Sequence, residues 1–356
     1  MDLSNCTEED LTVCPIVESN VLIGSAYTIF SVIDILLYVP CIIVFNSEAL
    51  RHKDAYILMY HAGIFDLIQA FMHLVSGIVT ITDGTTKTDS VFGPIVISAW
   101  LGYLAITTVQ AINRLCHMAF PHEAAKFFTK RLTKIYVLLC YVYAFAWFVV
   151  FLTPYADFIY HKNMAMFYYN DTVQTSEWAH LIEFIICGIQ LVIVGLCYIG
   201  VIKSIHSMQS KITSEATEAQ KTKVIEKKIT IQLMVIFLLH CSFILLWMIV
   251  PEVYEHLEFE TYQATWSKFW ILNLYWIIIN GINPVIFLTL NKTVRQRVRD
   301  LVTVNWSSAT TSSSRGRFLE TPGIVYPRVA VVQAPEPGIA RRKCPSFWYA
   351  RRYPTH

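Results

Sequence analysis

The run IYVLLCYVYAFAWFVVF, from Ile135 to Phe151, contains no charged side chain and is apolar around its whole helical circumference. A surface helix of a soluble protein would instead carry a single apolar stripe. Extended to residue 155, the run exceeds the roughly 18 residues that suggest a membrane span. The stretch therefore predicts a helix that crosses a bilayer.

Six further stretches have the same character, and each is free of Lys and Arg over more than that length. The seven predicted spans, named one to seven in chain order, are residues 21–45, 55–80, 91–112, 135–155, 181–202, 229–250 and 269–290. The chain is 55% hydrophobic and 15% charged, whereas about a quarter of a soluble protein is charged. Because helices satisfy their own backbone hydrogen bonds in lipid, we predict an all-α membrane protein, a bundle of seven transmembrane helices.

The basic residues predict which side of the membrane each end faces. The first 20 residues contain no Lys or Arg, and the loops after spans two, four and six contain one each, Lys87, Lys162 and Lys268, of the 28 in the chain. An excess of Lys and Arg marks the cytoplasmic side. The amino terminus is therefore predicted to be extracellular and the carboxyl tail cytosolic.

Two kinds of modification are predicted on the outer side. The sequons that begin at Asn5 and Asn170 both fall there and predict N-glycosylation. Of the nine cysteines, only Cys6 and Cys14 face an oxidising space in this topology. Whether they form a disulfide stays open, because sequence alone does not fix connectivity.

The chain divides into four predicted segments. They are an extracellular segment (1–20), the seven-transmembrane domain (21–290), an amphipathic juxtamembrane helix (291–304) and a disordered cytoplasmic tail (305–356). The amphipathic helix is predicted because Val294, Val298 and Leu301 recur at helical spacing among basic residues. A plain basic start to the tail is the alternative. The tail is rich in Ser and Thr and shows no apolar periodicity, which is typical of disorder.

Signatures of enzymes, metal sites and nucleic-acid interfaces are weak or missing in the sequence. His122-Glu123 begins like a zinc-protease motif, but Lys126 stands where the second His ligand is required. Neither a Gly-x-Ser-x-Gly elbow nor a phosphate-binding Gly-Lys loop occurs. A net charge of +2 gives little support to nucleic-acid binding. We expect no enzymatic activity, no cofactor and no metal, and the lipid bilayer as a constant partner.

Ionisable and polar residues within the spans are more informative. Asp34 and Asp66 place carboxyl groups inside spans one and two, where a charge costs on the order of 3 kcal/mol. Asp66 is predicted to face the bundle interior, where water and polar side chains such as Asn280 or Asn283 would solvate it. For Asp34 a functional and a purely structural role stand level. Pro284 lacks a backbone donor and predicts a kink in span seven. Asp66, Asn283 and Pro284 together form the predicted polar core and hinge.

Arg114 lies at the inner end of span three, directly after Asn113, and Pro121 follows seven residues later. On its own, such an Arg is an ordinary interfacial anchor. Combined with Asp66 in span two and Asn283-Pro284-Val285-Ile286-Phe287 before a basic helix, it resembles the rhodopsin-like G-protein-coupled receptors. The corresponding motifs in that family read Asp-Arg-Tyr and Asn-Pro-x-x-Tyr.

Several positions depart from that family's usual pattern. Asn113 replaces the acid before the Arg, Phe287 lacks the Tyr hydroxyl, and Trp247 stands four residues before Pro251 in place of Cys-Trp-x-Pro. Cysteine is missing from the top of span three and from residues 155–180, so the family's usual disulfide to the second outer loop is not available. A mainstream hormone or amine receptor is therefore disfavoured.

These departures resemble the serpentine chemoreceptors of nematodes, most closely class T, with class X next. The motifs that carry the resemblance span roughly residues 30–300 and are Tyr38-Val39-Pro40-Cys41, Gly63-Ile64-Phe65-Asp66, Ala111-Ile112-Asn113-Arg114, Phe127-Phe128-Thr129-Lys130-Arg131 and Leu288-Thr289-Leu290-Asn291-Lys292-Thr293-Val294-Arg295. The resemblance implies a chemosensory receptor that binds an extracellular small-molecule or peptide ligand and activates a heterotrimeric G protein. It implies the plasma membrane as the location, with a sensory cilium as one site, and leaves homo- or hetero-dimerisation open.

The resemblance also implies roles for individual residues. Arg114, Asn113 and Pro121 would form the switch and the G-protein coupling region. Ligand contacts would come from the outer halves of the helices, for which the candidates are Tyr103, Glu183, Phe184, Phe243, Trp247, Trp270 and Tyr275. Aromatic residues near span ends are also common interface anchors. Glu183 either favours a cationic ligand or simply reaches outer water.

Two rival classes remain at the level of sequence. A ligand-gated ion channel needs a polar pore lining, and a transporter of a small solute needs helices broken at mid-membrane. Only span seven, with Asn273, Asn280 and Gly281 beside Asn283 and Pro284, hints at either. A structural or accessory membrane protein is the remaining alternative.

Overall fold

The computed structural model describes residues 20–82, 89–161, 165–170, 173–209, 231, 234–247, 249 and 270–312. In this part of the chain six helices are long and apolar enough to cross a membrane, and a shorter apolar helix lies between the fifth and the sixth. In chain order these seven are Asn20–Phe45, Asp54–Ile81, Asp89–Ala119, Lys130–Phe151, Gln174–Gln209, Met234–Trp247 and Trp270–Leu290. They are spans one to seven, so the predicted seven-helix bundle is confirmed. The predictions at Asn5, Cys6 and Cys14 lie outside the described residues.

Side-chain caps and prolines explain several helix boundaries. The Thr129 hydroxyl accepts a hydrogen bond of 3.3 Å from the Leu132 amide at the start of span four, which satisfies one of the free amides of the first turn. The span ends at Phe151, four residues before the predicted end. Pro154 follows, and proline disfavours helical geometry in the residue before it.

The final helix runs from Lys292 to Ser312, eight residues beyond the predicted end at 304. It begins where the Asn291 side chain accepts a 3.2 Å hydrogen bond from the Val294 amide. The Ser and Thr residues that suggested disorder from 305 onward are helical as far as Ser312. Ser and Thr disfavour a helix only mildly. Gly and Pro, which break helices, do not occur between Asn291 and Gly316.

The spans pack in the order expected when neighbours in sequence are neighbours in space. Span one contacts spans two and seven, and span three contacts spans two, four and five. Spans one and two approach closely where Gly24 faces Gly77, since a Cβ atom on Gly24 would lie 2.6 Å from the Gly77 carbonyl oxygen. Small residues allow such backbone approaches in membrane bundles. Large apolar side chains such as Leu22, Leu138 and Val192 are exposed on the perimeter, where lipid would surround them.

A β-hairpin between spans four and five is absent from the sequence-based prediction. Strand β1 (Phe158–His161) pairs antiparallel with strand β2 (Met166–Tyr169), with Phe158 opposite Tyr169. Three of its aromatic side chains, Phe158, Tyr160 and Phe167, are buried in the bundle. We call this end of the bundle the hairpin end and the opposite one the Arg114 end.

Contacts with three spans hold the hairpin in place. The backbone of β1 lies directly against span three, because a Cβ atom on Gly93 would stand 1.6 Å from the Phe158 carbonyl oxygen. The Tyr160 hydroxyl lies 2.5 Å from the Thr80 hydroxyl of span two. The Tyr169 hydroxyl donates to Glu183 of span five. These contacts secure the loop that a disulfide secures in the receptors with the usual pattern.

Span one supports the hairpin turn as well. Ala165 adopts a φ of 50°, in the left-handed region, which costs an L-residue about 1–2 kcal/mol. The Tyr27 hydroxyl donates a 2.6 Å hydrogen bond to the Ala165 carbonyl. This bond fixes the strained residue against span one.

Replacement of Gly93 by Ala is expected to lower the thermal unfolding midpoint of the purified protein. The added methyl group collides with backbone, which cannot rotate away as a side chain can, and overpacking of this kind costs about 1–3 kcal/mol, or a few degrees in midpoint at a fixed heating rate.

Gly188→Ala is the matched control, because a Cβ atom there meets nothing within 4 Å. Both changes carry the same gain in helix propensity, so their difference isolates the contact with the hairpin. Equal midpoints for the two variants would contradict a tightly packed hairpin.

Candidate functional site

A buried polar core surrounds Asp66, near the middle of span two. Asp66 is 1% exposed, and one of its carboxyl oxygens accepts hydrogen bonds from the Tyr38 hydroxyl and, at 2.9 Å, from the Asn283 side-chain amide. The other oxygen lies 3.5 Å from the Gln69 amide nitrogen. The structure thus brings Asp66 and Asn283 into direct contact and joins spans one, two and seven at one carboxyl group.

The polar core extends in two directions from Asp66. Towards span three, the Asn283 amide lies 3.2 Å from the Tyr103 hydroxyl. Towards the hairpin end, the Gln69 carbonyl oxygen accepts a 3.0 Å hydrogen bond from the Trp276 indole and a 3.4 Å bond from Asn280. Tyr103, a predicted ligand contact, therefore belongs to the polar core.

A cavity of about 650 Å³ lies beside this core, and we call it the polar pocket. Six of the seven spans contribute to its lining. Its polar lining residues are Tyr38, Asp66, Tyr103, Thr107, Thr108, Gln110, Gln190, Tyr198, His240 and Asn283.

Asp34 occupies a separate position on span one. Its side chain is 5% exposed, and its Oδ2 atom has no hydrogen-bond partner among the residues that the structure describes. The carboxyl group packs against Gly281 of span seven so closely that a Cβ atom there would lie 1.7 Å from Oδ1. Because Gly281 has no side chain, it leaves room for the carboxyl group of Asp34.

The predicted switch residues Asn113 and Arg114 lie at the end of span three that is opposite to the hairpin. Arg114 is 5% exposed, and its charge acts on the Tyr198 hydroxyl, which also lines the polar pocket. Asn113 donates a 2.8 Å hydrogen bond to Asp54 at the start of span two, and His117 Nε2 lies 2.7 Å from the same oxygen. The sequence analysis did not single out Asp54. It lies at the boundary of a span, where an acidic residue is usually solvated and has no special role.

Two further predicted features lie near the Arg114 end. Pro121 is exposed and starts the short helix Pro121–Phe127, where its missing amide hydrogen costs nothing. Phe287, which replaces the usual Tyr, is buried with its ring 5.3 Å from that of Phe45, edge to face. Span seven continues past Pro284 to Leu290.

A second cavity, of about 520 Å³, lies between spans three, five, six and seven and the hairpin. We call it the aromatic pocket. Its lining residues are Ile97, Trp100, Phe158, Tyr169, His180, Glu183, Phe184, Cys187, Phe243, Ile244, Trp247 and Trp276. Four of the predicted ligand candidates meet there, Glu183, Phe184, Phe243 and Trp247.

The other candidates have different surroundings. Tyr275 shares a 2.7 Å hydrogen bond with Ser242, and its ring lies 6.0 Å from that of Phe243, behind the pocket wall. The Trp270 carbonyl oxygen lies 2.8 Å from the Tyr27 hydroxyl and shares its proton with the Ala165 carbonyl. Sequence reasoning missed Trp100 and Trp276, which are apolar residues of buried helix faces, and the whole contribution of the hairpin.

Glu183 is the acidic residue of the aromatic pocket. The Tyr169 hydroxyl donates to its Oε2 atom, and the Cys187 thiol lies 4.0 Å from Oε1. Burial, and after it the adjacent Glu183 charge, raise the pKa of the Tyr169 phenol. Tyr169 therefore remains a hydrogen-bond donor at neutral pH.

Aromatic rings connect the two pockets. The Phe243 ring lies 5.2 Å from Trp100, 5.7 Å from Trp247 and 5.8 Å from Trp276. Trp100 in turn stacks with His240, which lines the polar pocket. Direct ring contacts and the Trp276–Gln69 hydrogen bond therefore join the linings of the two pockets.

Comparison with known proteins assigns this arrangement to a family. Residues 1–311 match the family described as serpentine type 7TM GPCR chemoreceptor Srt. The chain belongs to the Srt family. The class T resemblance drawn from the sequence motifs is thereby confirmed. No curated protein matches the chain.

The fold of this Srt receptor is also that of a solved receptor. The crystal structure of squid rhodopsin superposes with a TM-score of 0.66 at 15% sequence identity, and the match covers 82% of this chain and 87% of the rhodopsin chain. At that identity the similarity concerns the fold alone. Membership of a receptor family agrees with the expectation that the chain is not an enzyme.

Three of the span-seven residues that suggested a channel or transporter contact other spans in this Srt chain. Asn280 bonds Gln69, Asn283 bonds Asp66 and Gly281 contacts Asp34. Among the described residues, His, Cys, Asp and Glu side chains do not gather into a group of three that could hold a metal ion.

Replacement of Gly281 by Ala is expected to lower the unfolding midpoint of the receptor, because the new methyl group would occupy the place of Asp34 Oδ1. The cost should be on the order of 1–3 kcal/mol. A second change, Asp34→Ala, removes the opposing group, so the double variant should recover most of the loss.

Thermal unfolding at one heating rate compares the two single variants and the double variant. If the double variant is no more stable than Gly281→Ala alone, the contact between Asp34 and Gly281 does not limit packing at this site.

Proposed function

We propose that this chain is a chemosensory G-protein-coupled receptor that binds an extracellular ligand in the aromatic pocket and activates a heterotrimeric G protein at its Arg114 end. The observation that carries the proposal is a hydrogen-bonded connection between that pocket and the polar core. Trp276 lines the pocket and donates to Gln69, which reaches Asp66, which binds Asn283 and Tyr38. The family supports the receptor class.

The proposal includes the orientation of the chain in the plasma membrane. The amino terminus and the hairpin end would be extracellular and the Arg114 end cytosolic, because the basic residues concentrate beside the latter. Loops of that end contact one another, with Lys130 Nζ 3.1 Å from His52 Nδ1. Asn170, the proposed glycan acceptor, follows β2 at the hairpin end, where its amide donates to Asp157. A sensory cilium would suit a chemoreceptor.

A ligand can shift a receptor between two states only if it binds them with different affinity. The aromatic pocket offers that opportunity, because Phe243 and Trp247 belong to span six, Trp276 to span seven and Glu183 to span five. A ligand that separates or clamps these spans changes the position of Trp276. Its bond to Gln69 then passes the change to the carboxyl group of Asp66.

At the Arg114 end, the proposed output is an opening that exposes Arg114 to the G protein. Tyr198 shares the polar pocket with Asp66 and lies within range of the Arg114 charge. Asn113 holds span three to Asp54 of span two, so it would steady the switch. Pro284 would act as the hinge of span seven, and the exposed helix that Pro121 begins would be a docking surface.

The lining of the aromatic pocket favours a small-molecule ligand. Its walls are mostly aromatic and carry few polar groups, as is common in small-molecule sites.

Arg114→Ala is expected to abolish ligand-evoked G-protein activation and leave delivery to the cell surface unchanged. The variant removes the cation proposed to meet the G protein, and the comparison at equal surface density separates this loss from any loss of folded receptor. Cells that express the receptor with a heterotrimeric G protein are screened with odorants and peptides, and the responses of wild type and variant are compared at equal surface density.

Arg51→Ala is the matched control at the same end of the bundle, since Arg51 is an exposed residue whose 3.0 Å ion pair with Glu48 lies on the surface. It should respond as the wild type does. A full response from Arg114→Ala would refute the switch assignment. A ligand-evoked current that survives blockade of G proteins would favour the channel alternative.

A further inference from the structure

The aromatic pocket carries one acidic side chain and no basic Lys or Arg among the lining residues that the structure describes. Glu183 is therefore the lining carboxyl group that can supply a negative charge, beside the imidazole of His180. In its ionised form Glu183 disfavours an anionic ligand and favours a positive one.

The carboxyl group of Glu183 retains capacity to bind a ligand. The Tyr169 hydroxyl occupies Oε2, whereas Oε1 has the Cys187 thiol 4.0 Å away as its recorded donor. A thiol is a weak donor, and a carboxylate can accept about four hydrogen bonds. A ligand ammonium group would supply the stronger, charge-assisted bond.

The aromatic lining supplies the second element of cation recognition. Trp100, Trp247 and Trp276 surround Phe243 with ring centroids 5.2 to 5.8 Å away. The negative faces of aromatic rings attract organic cations, and Trp is the strongest of them, with about 0.5–2 kcal/mol per contact. The same rings bury an apolar body.

We propose that the aromatic pocket binds a small organic cation, a protonated amine or a quaternary ammonium group on an apolar body, with Glu183 as the counter-charge. The body packs among the tryptophan rings and the positive nitrogen lies against Glu183 Oε1. The inference deepens the proposed function, because it rests on the aromatic pocket as the ligand site of the receptor. It makes Glu183 a determinant of ligand class rather than a residue that reaches outer water.

A different role for Glu183 is a purely structural tie to the hairpin through Tyr169. The variant Glu183→Gln separates the two roles. The Gln carbonyl oxygen still accepts the Tyr169 hydroxyl, so the tie is kept, while the negative charge is lost. Glu177→Gln is the matched control, because Glu177 is an exposed acid in the first turn of the same helix and lies outside the pocket lining.

The experiment measures binding to the purified full-length receptor in lipid nanodiscs, from the rise of the unfolding midpoint with probe concentration. The probes are primary amines with two to ten carbons, including 2-phenylethylamine, each paired with the alcohol of the same skeleton. We expect at least one amine to bind, and the matching alcohol to bind at least about tenfold more weakly, which corresponds to about 1.4 kcal/mol. Glu183→Gln should remove this preference for the amine. Glu177→Gln should keep it.

Three outcomes would overturn the proposal: alcohols that bind as well as their amines, no binding by any amine, or a preference for amines that persists in Glu183→Gln. An unfolding midpoint of ligand-free Glu183→Gln near that of wild type verifies that the hairpin tie is intact. The binding experiment contains no G protein, so it tests the cation pocket by itself. An amine that binds here but fails to activate a G protein in cells would count against the proposed receptor function and leave the cation pocket standing.

Discussion

The carboxyl group of Asp66 is the constraint on which the bundle depends. A carboxyl group in the interior of a membrane protein has no bulk water to solvate it, so the protein must supply donors. Tyr38, Gln69 and Asn283 do so from spans one, two and seven, and Asn283 extends the group to Tyr103 of span three. Within lipid the helices have no hydrophobic driving force for association, so interhelical hydrogen bonds and close packing hold them together. The same bonds tie the state of each span to that of the others.

The hairpin end solves a different problem by packing. With the usual cysteines missing, the loop between spans four and five is held by backbone contact at Gly93, by the buried ring of Phe158 and by hydroxyl bonds from Tyr160 and Tyr169. A covalent link would fix two points, whereas these contacts also build a wall of the aromatic pocket. The loop that closes the bundle thus forms part of the surface that a ligand would meet.

The sequence predicted the features that lipid enforces strongly. Uncharged runs of span length left few alternatives to seven helices, and the cost of a carboxyl group at mid-membrane predicted that Asp66 faces inward, towards Asn280 or Asn283. Of the two, Asn283 is the one that bonds Asp66. The hairpin was missed because each strand has only four residues. The alternation of buried and exposed side chains over so short a stretch does not distinguish a strand from an apolar loop. The place of Tyr103 in the polar core was not predicted, because composition does not fix the rotation of a helix, and a ligand contact at Tyr103 stays a prediction. Asp54 was missed because its role depends on Asn113 and His117, 59 and 63 residues away.

A double-mutant cycle on Asp66 and Asn283 tests most directly whether this carboxyl group holds the spans together. The unfolding midpoints of wild type, Asp66→Ala, Asn283→Ala and the double variant are measured in nanodiscs at one heating rate. Because both single changes break the same 2.9 Å hydrogen bond, the double variant should lose clearly less than the sum of the two single losses, by about 0.5–3 kcal/mol. Losses that simply add would show that the two residues stabilise the bundle independently and would contradict the account.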